Sequence, residues 1–433
     1  MMPFHYVIVV SDHNLAELRA CRYWHKQRAL LSVWLVMSKR MRDHAGPRLR
    51  SQLENMTPKL TLIELSDDSF KGETLSTDIT PWIQSKLLPQ LRALGDVPCV
   101  LNFTGGTKNL VEDMISSYAW TSLHYQPYVD GQSTLEVLES KAGHYQLTTT
   151  LDLSGEKISP LEFARLYFSH VEEASLSETM WLQLNQHHLY DQRLVQEAED
   201  GTAWYRLVKC LEDLFDSTKP NAWNWPQGIA DPDVMTLLSK LMSCVSESDR
   251  PLTWDSQGVY WHAERSLAKS WQPWISSRWF EHWVAEYLQQ RLQLSEGMLS
   301  RNLKSTSEAA RSAANREEAY LEKLQLQSKG SISGRREGDI LLAYRQSFLA
   351  IECKADVYQG KVAQWEEQIS SWAKDRGKMK LMIATTPLAR KNMGEDSFRS
   401  LVYRCLSVGV VVWVVGVNND SALSYALGTL PAI

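Results

Sequence analysis

The sequence predicts an α/β protein of two or three domains, and three observations support this prediction. The chain has 433 residues, of which 44% are hydrophobic and 22% are charged, as in an ordinary globular protein. Apolar strand-like runs alternate with helical stretches near the N-terminus, and two more apolar runs flank a short polar break near the C-terminus. We expect domains at 1–153, 154–268 and 269–433.

Three apolar strands alternate with helical stretches in the N-terminal domain, at residues 6–10, 31–36 and 60–65. Such alternation predicts a parallel sheet, and parallel sheets bind ligands beyond the carboxyl ends of their strands. The residues that follow the first two strands are therefore candidate ligand contacts. They are Ser11, Asp12, Asn14, Met37 and Ser38.

A glycine-containing loop at 102–108 ends the next apolar strand and leads into a helix predicted over 110–120. Its two glycines permit backbone conformations that side chains forbid, and successive amides before a helix form an anion site. The loop is not a Walker A motif, because Thr107 precedes Lys108 and Asn109 follows it. Its candidate ligand contacts are Asn102, Thr104, Gly105, Gly106, Thr107 and Lys108.

Residues 122–153 predict a β ribbon that closes this domain, with a turn at Asp130-Gly131. From Ser159 the pattern becomes helical, and Pro160 takes a position that proline favours at a helix start. Residues 155–265 predict several short helices without a catalytic constellation. We interpret 154–268 as a mainly helical or winged-helix-like connector.

The C-terminal domain contains a predicted hairpin that brings three charged side chains together. The apolar runs 340–344 and 347–351 flank Arg345-Gln346, so a turn there places Asp339 opposite Glu352. Opposed side chains lie about 5 Å apart at Cβ, and two carboxylates that close repel unless a cation or a proton separates them. Lys354 shares the face of Glu352, because side chains alternate along a strand.

A helix predicted at 278–288 places Glu281 near its apolar face, where an acid is usually paired or metal-bound. A half-exposed position remains an equal alternative. After the hairpin, three polar residues share one face of a predicted helix, and a solvated face is the simpler interpretation for them. They are Lys361, Gln364 and Gln368.

The hairpin motif resembles that of the PD-(D/E)xK nuclease superfamily, with Asp339 in the Asp position and Glu352 and Lys354 in the ExK position. Gly338 replaces the proline of the motif. The resemblance implies a divalent-metal-dependent nuclease, in which Asp339 and Glu352 hold Mn²⁺ or Mg²⁺. It also implies Glu281 as a further metal ligand and Glu337 as a further acid of the site.

The string Asn102 to Lys108 resembles the ligand loop of CARF domains, the Rossmann-like sensors of type III CRISPR systems. The order of the motifs is similar to that of CARF-nuclease effectors over roughly the first 145 and last 165 residues. A Gly-Gly pair carried by many relatives is absent, and only Gly377 stands there. The resemblance implies a homodimer that binds a cyclic oligoadenylate, with cyclic tetra-adenylate as the expected ring.

Three functional alternatives remain open at this stage. A restriction or repair nuclease would share the hairpin but ignore cyclic oligoadenylate. A non-catalytic nucleotide sensor would share the N-terminal loop but cut nothing. A ring-degrading activity in the sensor domain is also open, although no acid–base pair there indicates it. The sequence leaves the ring size and the choice between DNA and RNA undetermined.

The composition predicts a cytoplasmic protein without a membrane segment. No signal peptide is visible, and the longest apolar run, 408–417, is too short to span a bilayer and predicts a buried strand. The six cysteines form no C-x-x-C pair, which indicates a reducing compartment. The net charge is −5, but 301–336 hold eight basic residues against four acids, a strip that favours phosphate near the hairpin.

Overall fold

The computed structural model of the chain forms two compact units, one built mainly from the residues up to Glu172 and the other mainly from Glu173–Leu303 and Phe348–Ile433. The predicted three-domain division stays a prediction. The structure describes residues 2–56, 58–66, 76–127, 133–141, 143–167, 170–173, 206–207, 210, 214, 222–243, 250, 252–261, 278–306, 335–345, 347–354, 379–428 and 430.

The first unit contains a seven-stranded sheet in the order β3-β2-β1-β4-β5-β6-β7. Strands β1 to β5 pair in parallel, as the alternation of strands and helices predicts, and β5, β6 and β7 pair antiparallel. The strands are β1 Phe4–Val9, β2 Leu30–Val36, β3 Leu62–Leu65, β4 Cys99–Asn102, β5 Ser122–Tyr125, β6 Thr134–Lys141 and β7 His144–Asp152.

Seven α-helices accompany this sheet in the described residues. They are α1 Leu15–Lys26, α2 Lys39–Asp43, α3 Ala45–Glu54, α4 Ser76–Trp82, α5 Leu88–Arg92, α6 Lys108–Ser117 and α7 Pro160–Tyr167, with a π-helical turn Ile83–Leu87 between α4 and α5. Helix α6 ends three residues earlier than predicted, because Tyr118 takes an extended conformation.

The core of the first unit explains why its strands form a parallel sheet. Consecutive residues of β1 and β2 are buried, so both faces of these strands are covered, which is the pattern of a parallel sheet. Val7, Leu101 and Leu123 belong to one cluster with Trp120, whose indole nitrogen donates a hydrogen bond to Met114 O at 2.8 Å.

Strand β8 His170–Glu173 follows α7 in the chain. The second unit contains a small antiparallel sheet in the order β10-β11-β9. The strands of that sheet are β9 Ala222–Asn224, β10 Leu252–Trp254 and β11 Gly258–Trp261, and α8 Pro232–Ser243 lies between β9 and β10 in the chain. Leu252, Val259 and Trp225, the residue after β9, share one core with Phe280 and Leu342.

A six-stranded sheet in the order β16-β15-β14-β13-β12-β8 carries the predicted hairpin. Strands β14, β15 and β16 pair in parallel. The strands are β12 Leu299–Thr306, β13 Arg335–Tyr344, β14 Ser347–Lys354, β15 Met379–Thr385 and β16 Val410–Val414. The helices are α9 Trp279–Arg291, α10 Pro387–Met393, α11 Glu395–Ser407 and α12 Asn419–Leu427.

The apolar run at 408–417 contains β16, whose five residues are all buried, as expected for an interior strand. No helix in the described part of the chain has the length and apolarity that a membrane crossing requires. Several predicted features lie outside the described residues. They are the turn at Asp130-Gly131, the face of Lys361, Gln364 and Gln368, and most of the basic strip at 301–336.

Candidate active site and candidate ligand loop

The predicted hairpin is present in the structure. Strand β13 ends at Tyr344 and β14 begins at Ser347, which leaves Arg345 and one further residue for the connection. Arg345 has a φ of 54°, a left-handed conformation typical of tight hairpin turns. Because Asp339 and Glu352 lie equally far from this connection, the strand bounds place them opposite each other.

Two carboxylates and one lysine meet at this end of the hairpin. The Cys353 amide donates a hydrogen bond to Asp339 Oδ2 at 2.6 Å. Lys354 Nζ donates to Glu352 Oε1 at 2.6 Å and lies 3.9 Å from Asp339 Oδ2. Asp339 is only 9% exposed, so the three charges interact in a partly dehydrated site where electrostatic forces are strong.

Thr385 supports Lys354 from the neighbouring strand, and the sequence analysis did not identify it. It pairs with Lys354 in the parallel register of β14 and β15. Its hydroxyl donates a hydrogen bond to the Lys354 carbonyl at 2.8 Å, and its side chain is buried. A sequence signal existed, because Thr385 ends the apolar strand 379–385 just as Lys354 ends β14.

Glu281 lies close enough to the hairpin to affect its charges. It is buried in the first turn of α9 between Phe280 and the following buried residues, as its place on the apolar face predicts. Its carboxylate adds to the electrostatic repulsion at Asp339. The backbone of Glu337 belongs to β13, but its side chain lies outside the described part of the structure.

Burial and neighbouring charges shift the pKa values at the site in opposite directions. Burial, together with the carboxylates of Glu352 and Glu281, holds the pKa of Asp339 well above its usual range, although Lys354 acts against this shift. Burial alone would lower the pKa of Lys354, yet attraction to Glu352 and Asp339 outweighs it and the pKa lies above the ordinary value. The lysine is therefore a positive charge at neutral pH.

The donor chemistry of this site fits a hard divalent cation. Carboxylate oxygens are the protein ligands that Mg²⁺ and Mn²⁺ prefer, and Mg²⁺ commonly uses only one or two of them and keeps several waters. Asp339 and Glu352 can supply these two, with Glu281 nearby. In the described residues no three His, Cys, Asp or Glu side chains are already arranged around one point for a metal ion.

His282, the residue after Glu281, contacts an arginine of β12. Arg301 of β12 approaches His282 Nδ1 to 2.5 Å, and His282 is buried. Burial, with the charges of Arg301 and Arg278, lowers the pKa of His282 to about 3. The imidazole is therefore neutral and accepts the hydrogen bond from Arg301. Nothing in the sequence pattern indicated this pair, because the two residues lie 19 positions apart.

Replacing Asp339 with Asn is expected to stabilise the protein when no metal is added. A carboxyl group whose pKa is higher in the folded state favours folding below its ordinary pKa, and this contribution is lost as pH rises through the folded value. Asp339→Asn should therefore match the parent at low pH and exceed its Tm at neutral pH. Thermal unfolding with a chelator from pH 4 to 8 measures this, with Asp396→Asn as the exposed control. Equal Tm values at neutral pH would contradict it.

The candidate ligand loop is fixed from beneath by the side chain that opens it. Asn102 is fully buried at the end of β4. Its Oδ1 accepts a hydrogen bond from the Thr104 amide at 3.0 Å, and its Nδ2 donates to Tyr6 Oη at 2.9 Å. Thr104 Oγ1 in turn accepts from the Gln126 amide at 2.9 Å. The loop is thus tied to β1 and to the segment after β5.

The two glycines let this loop pack directly against the end of β1. A Cβ at Gly105 would lie 2.4 Å from the Val9 carbonyl oxygen and 2.8 Å from Glu17 Oε1. Gly106 has a φ of +89°, and a Cβ there would lie 2.4 Å from Val9 Cγ1. Both positions therefore require glycine for close packing, and Gly106 also requires it for its backbone conformation.

The other predicted ligand contacts divide into buried and exposed groups. Asn14 Oδ1 accepts from the Ser11 amide at 3.0 Å, and Ser38 Oγ accepts from the Met41 amide at 3.4 Å, so both support local turns; Met37 is buried. On the exposed side, Thr107 and Lys108 begin α6, and Asp12 pairs with Arg40 at 2.9 Å. Ligand binding by these residues stays a prediction.

No protein-family model matches the sequence, and no curated protein matches it. Two solved structures are similar over nearly the whole chain. Protein VC1899 from Vibrio cholerae is 14% identical with a TM-score of 0.62, covering 98% of this chain and 99% of its own. Can2 from Sulfobacillus thermosulfidooxidans, in complex with cyclic tetra-adenylate, is 16% identical with a TM-score of 0.58. The match covers 98% of this chain and 97% of the Can2 chain. These likenesses show a shared α/β fold.

Tyr6→Phe is expected to weaken the anchoring of the loop in this shared fold. The change removes the hydroxyl that accepts from Asn102 Nδ2 and leaves that buried donor without its acceptor, a loss of about 1–3 kcal/mol. Chemical denaturation should show a lower midpoint with an unchanged slope. Tyr23→Phe, on the partly exposed face of α1, is the matched control. A midpoint equal to that of the control would show that the hydrogen bond is unimportant.

Proposed function

We propose that this protein is a divalent-metal-dependent nuclease activated by a cyclic oligoadenylate. The observation that carries the proposal is the convergence of Asp339, Glu352 and Lys354 at one end of β13 and β14. Two acids and a lysine in this arrangement suit phosphodiester cleavage, because acids hold a metal and the lysine supplies a fixed positive charge. The structure neighbours support the fold that this proposal requires.

The residues of the candidate active site have different roles in the proposed reaction. Asp339 and Glu352 would hold the metal, and the Cys353 amide orients the Asp339 carboxylate. When bound, Mn²⁺ or Mg²⁺ lowers the pKa of a water and offsets the charge that develops on the phosphate. Lys354 holds the scissile phosphate or positions the attacking water, and Thr385 fixes the backbone at the lysine. Glu281 and Glu337 are further acids available to this site.

The N-terminal loop is the proposed sensor. It lies after β4, next to β1, where the order of a parallel sheet reverses, the position at which such sheets bind nucleotides. The similar structure of Can2 contains cyclic tetra-adenylate, and we propose this ring as the activator. A ring with two-fold symmetry suits a homodimer in which both copies present the same loop. Activation then requires tighter ring binding to the cleavage-competent arrangement.

The proposed compartment is the reducing cytoplasm. The described cysteines are buried and form no disulfide among the described residues; they are Cys21, Cys99, Cys210, Cys353 and Cys405. Buried thiols stay reduced where glutathione and thioredoxin are present.

A cleavage assay tests the proposal directly. Supercoiled plasmid, single-stranded DNA and RNA are incubated with Mn²⁺ or Mg²⁺, each with and without cyclic tri-, tetra- and hexa-adenylate. We expect cutting only with metal and one ring, and none by a Glu352→Ala/Lys354→Ala variant. Cutting without any ring, lost in that variant, would instead favour a restriction or repair nuclease. Ring binding without cutting would favour a non-catalytic sensor.

A further inference from the structure

A cavity of about 490 Å³ opens in the first unit among α1, α3 and the segment that leads into α7. Its volume lies within the range of small-molecule sites. The lining residues are Arg22, His25, Lys26, Gln52, Asn55, Met56, Glu156, Lys157, Glu162 and Arg165.

This cavity lies at the opposite edge of the sheet from the glycine loop. Helix α1 starts at Leu15, beyond the carboxyl end of β1, and runs back to Lys26, four residues before β2 begins at Leu30. The last turns of α1 and the end of α3 line the cavity, together with α7 and the segment before it. It therefore differs from the candidate ring site, which lies at the carboxyl edge.

Two ion pairs form part of the cavity wall. Arg22 contacts both carboxylate oxygens of Glu162 and donates a further hydrogen bond to the Lys157 carbonyl at 2.9 Å. Lys26 Nζ lies 2.7 Å from Glu156 Oε2. Burial alone would raise the pKa of Glu162, but hydrogen bonds from Arg22 and the Ser159 amide outweigh it, so the pKa lies below its usual range. Glu162 is therefore ionised, and the positive charge of Arg22 balances its negative charge.

Two positive charges remain after these pairs are formed. The lining holds four lysine and arginine residues and two acids, which leaves a net charge of +2 for these six side chains. Lys157 and Arg165 are exposed and form no ion pair with any described acid. A phosphate monoester carries −1.5 to −2 charges at neutral pH, so its charge matches this surplus.

Further polar groups complete the lining. The Nε2 atom of His25 is buried and has no hydrogen-bond partner in the described residues. Proteins rarely leave a buried polar atom without such a partner. The amides of Gln52 and Asn55 add donors and acceptors, and Met56 adds an apolar surface. Such a mixture suits the organic part of a phosphorylated molecule better than inorganic phosphate alone.

We propose that this cavity binds a phosphate monoester of about nucleotide size, with Arg165 and Lys157 on the phosphate and His25, Gln52 and Asn55 on the organic part. Arginine suits this role, because its planar group can contact two phosphate oxygens at once. The proposal is independent of the nuclease activity and of ring binding. It assigns a second anion site to the unit that carries the glycine loop.

Calorimetric titration of the 433-residue chain tests this site with adenosine 5′-monophosphate, inorganic phosphate and adenosine as probes. We expect saturable binding of the monophosphate, weaker binding of phosphate and none of adenosine. Arg165→Ala and Lys157→Ala should each reduce affinity for the monophosphate at least about 10-fold, since each removes a charge-assisted hydrogen bond. Lys141→Ala, an exposed lysine of β6 outside the lining, should leave it unchanged.

Two results would overturn the proposal. One is the absence of saturable binding by the monophosphate at millimolar concentration. The other is undiminished binding in both Arg165→Ala and Lys157→Ala, which would assign the ligand to another surface such as the glycine loop. Both substituted side chains are exposed, so the variants are expected to fold, and their thermal unfolding profiles verify this before titration.

Discussion

Asp339→Asn is expected to lower the rate of ring-activated cleavage by more than about 100-fold, while ring affinity stays at the parent level. Loss of residues that merely orient metal ligands costs about 10–100-fold in metal affinity or activity, so loss of a ligand oxygen should cost more. The asparagine keeps the size of the side chain and can still accept the hydrogen bond from Cys353. Only the charge is removed.

This variant separates catalysis from folding, because its stability is expected to move in the opposite direction. The repulsion that raises the pKa of Asp339 disappears in the asparagine form, so the protein should unfold at a higher temperature but cut far more slowly. Residues under such repulsion are typical of active sites, where function limits stability. A variant that was both inactive and less stable would instead indicate a structural role for Asp339.

The measurement is the initial rate at saturating ring and excess Mn²⁺, together with ring affinity from calorimetry. Asp396→Asn is the matched control, because Asp396 is a fully exposed carboxylate of the same unit. The control should cut at the parent rate. Cleavage by Asp339→Asn at more than a tenth of the parent rate would remove Asp339 from the proposed metal site.

The hairpin could be predicted from the sequence because its signals are local. Two apolar runs and a two-residue break fix the turn, and the period of two along a strand then places Glu352 and Lys354 on one face. The helical spacing around Glu281 placed it near the apolar face but left a half-exposed position equally open, and the structure shows that it is buried. The strand order of the first unit's sheet, in contrast, depends on contacts between distant segments that no local pattern encodes.

Side-chain contacts across the fold were the part that the sequence could not supply. Thr385 reaches Lys354 through the parallel pairing of β14 with β15, which joins residues 31 positions apart in the chain. Tyr6 and Asn102 meet because β1 and β4 are neighbours in the sheet. The sequence predicts Asn102 as a ligand contact, which stays a prediction, but it could not supply the hydrogen bonds by which the Asn102 amide supports the loop.

Gly105→Ala is expected to abolish activation by the ring and to leave the nuclease residues intact. The added Cβ would lie 2.4 Å from the Val9 carbonyl oxygen, a backbone atom that cannot move aside as a flexible side chain could. The loop must therefore shift away from β1 and from the amide positions that would contact a phosphate. We expect ring affinity to fall by more than about 10-fold, the factor that corresponds to 1.4 kcal/mol.

Gly155→Ala is the matched control for this experiment. Gly155 lies in the same unit and has no atom within 4 Å of its would-be Cβ, so the same chemical change meets open space there. Both variants are measured for ring binding and for ring-dependent cleavage, with metal affinity as a test of the second unit. Because Asp339, Glu352 and Lys354 belong to a different compact unit from Gly105, Gly105→Ala should bind Mn²⁺ like the parent. Full activation of Gly105→Ala by the ring would place the sensor site away from this loop. Loss of ring activation in Gly105→Ala but not in Gly155→Ala would show that activation depends on the close packing of the loop on β1.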